Sequence, residues 1–398
     1  MNLEKLAGKN AAAFRRLLFF LLMLLTATGA LADANISYGK KGVEYLSDDE
    51  NTFLWFGVRL QLRYTSLDFD PGKPPSQALT DKDEIKLNRG RLKLGGNILR
   101  PWFQVYSEYD FTKKNLLDLR ATFQWKQWFV PRIGQWKAEY NRERIDSSGN
   151  QQFIERSIAT YWFTVDRQKG VSVSGRLMAN STYDSSYWLE RMSGTGRGGA
   201  SSDGKPLWLA RYQWNLLGRV LPFSQSDLQR MSSPAASIAI AGVYGHSRFT
   251  RFSGAGGGQL PGYEAGVEDQ YRLSQWMLET AWQGHGFSWQ QEYHWKEIHD
   301  TVNASTRKIR GGYFQVGYFF NETWPAFPRP LELAGRYTRI KPDTAQPEEQ
   351  QEEFCLVANW FFNGHRNKLS SSVSWIELKS NNQRTRDTQL GLQWEFSF

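Results

Sequence analysis

Five cationic side chains on two neighbouring segments are the residues of this sequence whose chemistry is easiest to interpret. They are Arg59, Arg63, Arg89, Arg91 and Lys93. Within each segment their spacings are even, so an extended strand would project them to one side. Several Arg and Lys side chains on one wall raise the local concentration of anions and repel cations. The planar guanidinium group donates two hydrogen bonds at once, which suits phosphate-like oxyanions.

The apolar residues between these cations indicate which face the cations occupy. In segment 53–64 the apolar members of the alternation are Leu54, Phe56, Val58, Leu60, Leu62 and Tyr64. In segment 84–98, Leu92 and Leu94 alternate with the cations. An Arg or Lys that faces lipid at the midplane of a membrane barrel costs about 2–4 kcal/mol. The alternation therefore predicts that the apolar residues face lipid and the cations face a water-filled lumen.

Later segments add further cations that are candidates to line the same anion pathway. These candidates are Arg132, Lys137, Lys296 and Arg336, with Arg211 in addition. An alternative is that lumenal arginines pair with carboxylates and brace the barrel wall. Glu108, Asp110 and Asp118 share the lumenal phase and could be the partners. Both interpretations remain open from the sequence.

The last strand indicates which kind of sheet positions these cations. Its apolar face consists of Leu390, Leu392, Trp394, Phe396 and Phe398. Alternation up to the last residue is unusual, because chain termini usually fray. The closing strand of a transmembrane β-barrel requires it, with apolar residues towards lipid and polar residues towards the lumen. A carboxy-terminal Phe on such a strand also resembles the assembly signal of bacterial outer-membrane proteins.

Alternating segments recur along the whole chain and predict an all-β fold, a transmembrane antiparallel β-barrel of about 16 strands. The predicted strands are 53–66, 84–98, 102–111, 117–125, 129–137, 157–164, 170–180, 207–215, 237–247, 270–283, 287–298, 311–320, 331–340, 353–362, 368–378 and 388–398. An even number of strands would put both termini in the periplasm.

The predicted connections agree with this architecture, because barrels have short turns on the periplasmic side and long loops outside. The long connections are 67–83, 138–156, 181–206 and 248–269, and short ones such as 166–169 alternate with them. Two exceptions, 216–236 and 321–330, are longer than a periplasmic turn is expected to be.

The amino-terminal segment predicts export. Arg15 and Arg16 precede the apolar run 17–25, and Ala30-Leu-Ala32 resembles a cleavage site. The run is too short for a spanning helix, which needs about 20 residues, so an uncleaved anchor is the weaker interpretation. We expect residues 1–32 to be a signal peptide, 33–52 a periplasmic amino-terminal segment and 53–398 the barrel.

Composition excludes several classes of protein. The formal net charge is +9, and it falls to +6 without residues 1–32, which carry Lys5, Lys9, Arg15, Arg16 and Glu4. So modest an excess gives little support for nucleic-acid binding. The mean hydropathy of −0.57 excludes a helical membrane bundle, whereas 15% aromatic residues suit the girdles of a barrel. The single cysteine, Cys355, leaves neither a disulfide nor a Cys/His metal cluster to expect, and we expect no cofactor.

The order of five short motifs resembles that of the phosphate-selective porin O and P family. The motifs are Gly57-Val-Arg-Leu-Gln61, Asn88-Arg-Gly-Arg-Leu-Lys93, Ile133-Gly-Gln-Trp-Lys137, Phe153-Ile-Glu-Arg-Ser157 and Asp166-Arg-Gln-Lys-Gly170. The resemblance is clearest over residues 36–180. It implies a sixteen-stranded, usually trimeric outer-membrane porin that passes anions, in some members with a preference for phosphate. It also implies that loop 138–156 is a candidate to fold into the pore and narrow it.

Charges in that loop bear on selectivity. The loop region carries both signs, with Glu139, Glu143, Asp146 and Glu155 beside Arg142, Arg144 and Arg156. An acidic group at a constriction would weaken a preference for dianions.

The sequence and the resemblance together predict an outer-membrane porin of a Gram-negative bacterium that passes small anions, such as phosphate or other oxyanions. The expected partners are small anionic solutes, outer-membrane lipid and two further copies of the chain in a homotrimer. Alternatives are a non-selective porin, a porin for another substrate, and a structural or adhesive barrel. An enzyme is not expected. None of the histidines, which are His246, His285, His294, His299 and His365, lies two residues from a Ser on the lipid-facing phase.

Overall fold

Sixteen antiparallel strands close into a barrel, and a short hairpin precedes them in the chain. The computed structural model describes residues 35–198, 204–253, 256–380 and 383–398. The predicted signal peptide lies outside these ranges. The hairpin strands are β1 (Asn35–Gly39) and β2 (Gly42–Leu46). The barrel strands are β3 (Phe53–Phe69), β4 (Leu79–Asn97), β5 (Phe103–Asp110), β6 (Asn115–Phe123), β7 (Val130–Lys137), β8 (Arg167–Leu177), β9 (Ser185–Met192), β10 (Leu207–Asn215), β11 (Ala235–Ser247), β12 (Tyr271–Gly284), β13 (Phe287–Asp300), β14 (Ser305–Tyr318), β15 (Leu331–Lys341), β16 (Gln350–Asn363), β17 (Asn367–Ser380) and β18 (Gln383–Ser397).

Each barrel strand pairs with its neighbours in the sequence, and β18 pairs with β3 to close the ring. The closing register ends with Ser397 opposite Arg59. Phe398 completes the seam, because its backbone N–H donates to Val58 O at 3.0 Å and its carbonyl accepts from Val58 N at 2.8 Å. The predicted fold class and strand number are confirmed.

The even number of strands puts the start of β3 and the end of β18 at the same end of the barrel, which we call the terminal end. The hairpin lies there too, since β2 pairs with residues 53–56 of β3. The opposite end, the far end, carries the connections 70–78, 138–166 and 248–270.

The connections, as far as the structure describes them, contain three short helices. They are α1 (Pro75–Ala78), α2 (Arg142–Ile145) and α3 (Ala159–Phe163), and a 3₁₀ turn spans Phe320–Glu322. Among the described residues, no helix is both long and apolar enough to span a membrane.

One predicted strand is wrong. Residues 157–164 form no strand, and α3 occupies most of that segment. Trp162 and Phe163 are both buried, so the short apolar run reflects burial on all sides, which periodicity cannot distinguish from a strand. The predicted turn at 166–169 is also wrong, because β8 begins at Arg167.

The missing strand comes from a segment that we expected to be a loop. Within 181–206, β9 pairs with β8 and with β10. Its alternation is short, with Leu189 exposed and Glu190 buried, and polar and glycine residues surround it. The lost and gained strands compensate, which leaves sixteen.

Burial alternates along the strands in the predicted phase. In β3, Arg59 and Arg63 are each 3% exposed, whereas Leu60 and Leu62 are 42% and 48% exposed. The cations therefore point to the interior, and the leucines point away from it.

An apolar cluster fills one side of the interior. The wall contributes Met277, Ile298, Tyr313 and Ile340 from β12 to β15, and the connection 138–166 contributes Tyr140, Trp162 and Phe163. Buried charged side chains lie both on β3 to β8 and on the later strands.

Candidate functional site

The connection between β7 and β8, residues 138–166, folds into the barrel and crosses its lumen; we call it the inward loop. Tyr140 Oη lies 3.1 Å from His294 Nδ1 on β13. The backbone N–H of Glu143 donates to Glu292 Oε1 at 2.7 Å. The resemblance implied that 138–156 would fold inward, and the structure places it there, with the loop extending to residue 166.

A second segment, residues 216–234 between β10 and β11, folds inward from the terminal end; we call it the inner segment. Gln225 Oε1 accepts the backbone N–H of Gln152 at 2.7 Å, and Ser226 Oγ donates to Glu332 Oε2 at 2.9 Å. The two inward segments thus meet inside the barrel. This explains why the connection predicted at 216–236 is too long for a turn.

Two of the predicted site residues, Arg59 and Arg63, hold the inward loop to the closing seam. Arg59 Nε lies 3.1 Å from Glu395 Oε1 on β18, and its Nη1 donates to Ser147 Oγ at 3.0 Å. Arg63 Nη2 donates to Ile154 O at 2.8 Å. Both guanidinium groups are therefore occupied by protein atoms.

Arg91 makes the contacts that the bracing interpretation requires. Its Nε donates to Asp110 Oδ2 at 2.9 Å and its Nη1 to Glu108 Oε1 at 2.8 Å, both on β5. Asp118 pairs instead with Arg167, whose Nε lies 2.7 Å from Asp118 Oδ2. The three carboxylates that we predicted as bracing partners, Glu108, Asp110 and Asp118, are thus all paired with arginines.

Arg89 and Lys93 differ from Arg91. Arg89 Nη1 donates to the neutral Gln61 Oε1, and among the described residues neither Arg89 nor Lys93 forms an ion pair. A β-bulge makes Asn88 the extra residue of β4. The alternation changes phase there, so Leu87 faces outward, whereas Arg89 keeps the inward phase of Arg91 and Lys93.

The remaining predicted lysines donate to backbone carbonyls. Lys137 Nζ lies 2.8 Å from Asp146 O, and Lys296 Nζ lies 2.7 Å from Thr250 O. Each lysine therefore fixes a connection inside the barrel.

The remaining predicted arginines are paired with carboxylates. The pairs are Arg132 with Glu139, Arg211 with Glu279 at 2.8 Å, and Arg336 with Glu353 at 3.2 Å. Removing one partner of such a buried pair leaves an uncompensated charge, so these residues brace the wall and the inward loop.

A cavity of about 360 Å³ remains between the inward loop and the wall near β4 and β8. Its cationic lining consists of Arg89, Arg91, Lys113, Lys137, Arg144, Arg156, Arg167, Arg197 and Arg251. Its acidic lining consists of Glu155 and Asp166. We call this space the cationic cavity. It brings together Arg89, Arg91 and Lys137 from the predicted set, and the other six predicted residues lie outside it.

The cations of the cavity are only partly neutralised. Asp166 accepts a hydrogen bond from Arg144 Nε at 2.8 Å. Burial, together with repulsion from Arg89, lowers the pKa of Lys113 to about 8. Burial and repulsion from Arg144 also lower the pKa of Arg156. An anion inside the cavity would relieve this repulsion, because it would favour the charged form of both side chains.

Six cations of the cavity are absent from the predicted site: Lys113, Arg144, Arg156, Arg167, Arg197 and Arg251. Five of them lie in connections, and Arg167 lies in β8, where a turn was predicted. The alternation of a strand assigns faces only to strand residues, so it gave no direction for these side chains.

Catalytic and metal chemistry find little support in the grouping of side chains. Ser224 Oγ lies 3.0 Å from His365 Nε2. His365 Nδ1 is buried and, within the described ranges, without a hydrogen-bond partner, so no third group orients the imidazole as a catalytic triad requires. Among the described residues, no group of three or more His, Cys, Asp and Glu side chains is placed to hold a metal ion.

The sequence matches a known protein family. The sequence profile of the family described as phosphate-selective porin O and P matches residues 56–205 and 261–397. No curated protein matches the chain.

The fold resembles solved porin structures at low sequence identity. OmpT of Vibrio cholerae has a TM-score of 0.58 at 10% identity, over 87% of this chain and 98% of that one. An anion-selective porin from Comamonas acidovorans has a TM-score of 0.57 at 9% identity, over 87% and 100%. The outer-membrane channel DcaP of Acinetobacter baumannii has a TM-score of 0.54 at 10% identity, over 89% and 99%. At such identities the likeness shows the fold alone.

The profile match covers more than half of the chain and includes both the cationic strands and the closing strand. It confirms the predicted family. The chain belongs to the phosphate-selective porin O and P family and is an outer-membrane porin.

Proposed function

We propose that this porin passes small anions by diffusion and that the cationic cavity is the section of its pathway that selects them. The observation that carries the proposal is the composition of the cavity lining, nine Arg and Lys side chains against two carboxylates. Such a surplus raises the anion concentration in a narrow aqueous space and repels cations.

The nine residues predicted to line the pathway divide into two groups in this proposal. Arg89, Arg91 and Lys137 face the passing ion inside the cationic cavity, and Lys93, on the same face of β4, faces it outside the cavity. Arg59, Arg63, Arg132, Lys296 and Arg336 act indirectly, because their contacts hold the inward loop that shapes the cavity.

Oxyanions are the anion class that suits the cavity best. A planar guanidinium group can donate to two oxygens of one anion, and Arg89, Arg144 and Arg156 line the cavity. Arg144 already donates to Asp166, and Arg156 donates to the carbonyls of Glu143 and Asp146. We therefore propose Arg89 as the main guanidinium donor to the anion. Release requires several moderate sites instead of one deep trap. Glu155 and Asp166 lie among the cations, which weakens binding of a dianion. We therefore propose passage of oxyanions, phosphate included, with weak retention.

The comparisons support this assignment. The family is described as phosphate-selective, and the similar porin of Comamonas acidovorans is described as anion-selective. A trimer form of OmpT of Vibrio cholerae is also similar in fold, which supports a homotrimer for this chain. We further propose that the terminal end faces the periplasm, as an even number of strands requires in bacterial single-chain barrels.

Competition between chloride and phosphate tests the oxyanion proposal. Single channels of the wild-type protein in planar bilayers are recorded in KCl, and potassium phosphate is then added at constant ionic strength. We expect the chloride conductance to fall as phosphate occupies the cavity, and to fall less in an Arg156→Gln variant. Unchanged chloride conductance in both proteins would exclude retention of phosphate.

The same recording separates the porin from a purely structural or adhesive barrel. The inward loop and the inner segment fill much of the lumen, so a sealed barrel is the relevant alternative. A sealed lumen gives no conductance steps, whereas the proposal requires them.

A further inference from the structure

An outward-facing cavity of about 570 Å³ lies on the barrel surface across β13, β14 and β15. Tyr293, Phe314 and Tyr337 form its aromatic walls, and Arg310, Arg339 and Lys341 line it on the side of the far end. We call it the rim cavity. It lies outside the barrel and shares no residue with the cationic cavity.

Strand register explains how the rim cavity forms. On β14 and β15, Arg310 lies opposite Lys341 and Phe314 lies opposite Tyr337. Between these two pairs, Gly312 lies opposite Arg339. Because glycine has no side chain, it leaves a hollow between a cationic pair and an aromatic pair.

Neighbouring aromatic residues locate this hollow relative to the membrane. Trp295 on β13 lies opposite Arg310 and stacks on Trp276 with ring centroids 3.6 Å apart. Tyr293 packs edge-on against Trp295 at 4.5 Å. Aromatic girdles mark the membrane–water interface of β-barrels. In the strand register Arg310 and Lys341 lie level with Trp295, and Arg339 lies level with Tyr293. The three cations therefore lie within this girdle, at the membrane–water interface.

The charge of the rim cavity is mostly uncompensated. Within the described ranges, Arg310 and Lys341 form no ion pair. Arg339 Nε lies 3.5 Å from Glu352 Oε1, and the same oxygen accepts from Tyr337 Oη at 2.6 Å. Among the described residues, one of the three cations thus pairs with a carboxylate, and the cations lie beside aromatic surface that suits the apolar part of a lipid.

Other cations at the same end are arranged differently. Lys379, Arg384 and Arg386 all contact the carboxylate of Glu377, at 2.9, 2.7 and 2.5 Å. All three cations pair with the same carboxylate, and none of them lines the rim cavity. Another outward-facing cavity, of about 790 Å³ across β8–β12, also has aromatic walls, formed by Trp208, Tyr244 and Trp276, but a single cation, Arg191, lines it. The rim cavity differs because three cations lie beside its aromatic walls.

We propose that the rim cavity binds the phosphate-bearing head group of a membrane glycolipid, with the phosphates on Arg310, Arg339 and Lys341 and the first apolar groups against the aromatic walls. Arg suits phosphate because its fork is planar and always charged. Cations at a membrane surface attract anionic lipid. The inference does not depend on which ion passes through the barrel.

Native mass spectrometry of the mature barrel in detergent micelles tests the proposal, with diphosphoryl lipid A and its dephosphorylated form as probes. The test variant combines Arg310→Gln, Arg339→Gln and Lys341→Gln. The control combines Lys379→Gln, Arg384→Gln and Arg386→Gln, which removes the same charge from the same end. The shift in gel mobility on heating shows that each variant is folded.

We expect the wild-type protein to retain the diphosphoryl lipid, and the test variant to bind it roughly tenfold more weakly or worse, given the contribution of each surface cation. The control is expected to bind within about twofold of the wild type, because its cations pair with one carboxylate and do not line the rim cavity. Equal binding by the test variant and the wild type would overturn the proposal. Equal losses in both variants, or equal binding of the dephosphorylated lipid, would also overturn it.

Discussion

The guanidinium of Arg59 on β3 and the carboxylate of Glu395 on β18 lie 3.1 Å apart, across the seam where the first and last barrel strands meet. Both side chains are almost fully buried. Arg59 also donates to Ser147 in the inward loop. One buried ion pair therefore joins barrel closure to the position of the loop that shapes the cationic cavity.

Substitution of Glu395 by Gln should destabilise the barrel, because it leaves Arg59 buried with an uncompensated charge. Loss of one partner of a buried pair costs about 3–5 kcal/mol. The measurement is the urea midpoint of the heat-sensitive gel-mobility shift. Glu377→Gln removes a carboxylate from an exposed cluster and should cost less than about 1 kcal/mol. Equal midpoints for the two variants would contradict a structural role for the seam pair.

Arg89 and Arg91 are neighbours on one face of β4, yet we expect their substitutions to act differently. Arg91→Gln frees the buried carboxylates of Glu108 and Asp110 and should lower the urea midpoint. Arg89→Gln breaks no ion pair among the described residues and should leave stability near that of the wild type. Its effect should appear instead as a lower anion-to-cation permeability ratio, largest at low salt, where screening is weak. A destabilised Arg89→Gln variant of unchanged selectivity would reverse this assignment.

Anion preference should decline as pH rises from 7 to 9, because Lys113 lines the cationic cavity and its pKa is lowered to about 8. Below that pH the ammonium is charged and attracts anions, and above it the charge is lost. Repulsion from Arg89, Arg91 and Arg197 lowers the pKa of Lys113, whereas attraction to Asp110 raises it.

The permeability ratio as a function of pH measures this effect. Lys113→Arg should remove the decline and keep the preference, since guanidinium remains charged. Lys113→Gln should remove the decline and lower the preference at pH 7. Lys114→Gln, a substitution of the adjacent residue that does not line the cavity, serves as the matched control. A decline that persists in both Lys113 variants would assign it to another group.

The contact between the two inward segments should control how steady the open channel is. Glu332 accepts from Gln152 Nε2 at 2.7 Å, Ser226 Oγ at 2.9 Å and Asn359 Nδ2 at 3.0 Å. Hydrogen bonds to a charged group contribute about 1.5–3 kcal/mol each. Combined Gln152→Ala and Ser226→Ala substitutions should therefore loosen the inward loop and the inner segment and raise open-channel current noise.

Ser224→Ala is the control for this prediction, because Ser224 contacts His365 and not Glu332. Its current noise should match that of the wild type. If the current noise of the double variant equals that of the control, the contact at Glu332 does not hold the two segments in the open channel.

The barrel could be predicted well from the sequence, because exchanging the two faces of a strand would cost free energy. A lumenal Arg59 and an outward Leu60 cannot exchange faces without placing charge in lipid. The same rule placed the cations of β3 and β4 and the aromatic face of β18. It failed at α3, where an apolar run is buried on all sides, and at β9, where the alternation covers few residues.

The cationic cavity could be predicted only in part. Arg89, Arg91 and Lys137 lie in strands, where alternation assigns their direction. Lys113 and Arg251 lie in connections, whose paths depend on contacts between distant parts of the chain. The sequence also did not distinguish Arg91, which is paired, from Arg89, which is not, because pairing depends on the register with β5.

The reversal potential of the wild-type channel in a tenfold KCl gradient across a planar bilayer tests the central claim most directly. Selective passage of anions sets both the sign and the size of this potential. We expect stepwise conductance and a reversal potential of the sign that chloride permeation produces. A reversal potential of the opposite sign, or a bilayer that shows no conductance steps, would contradict the account.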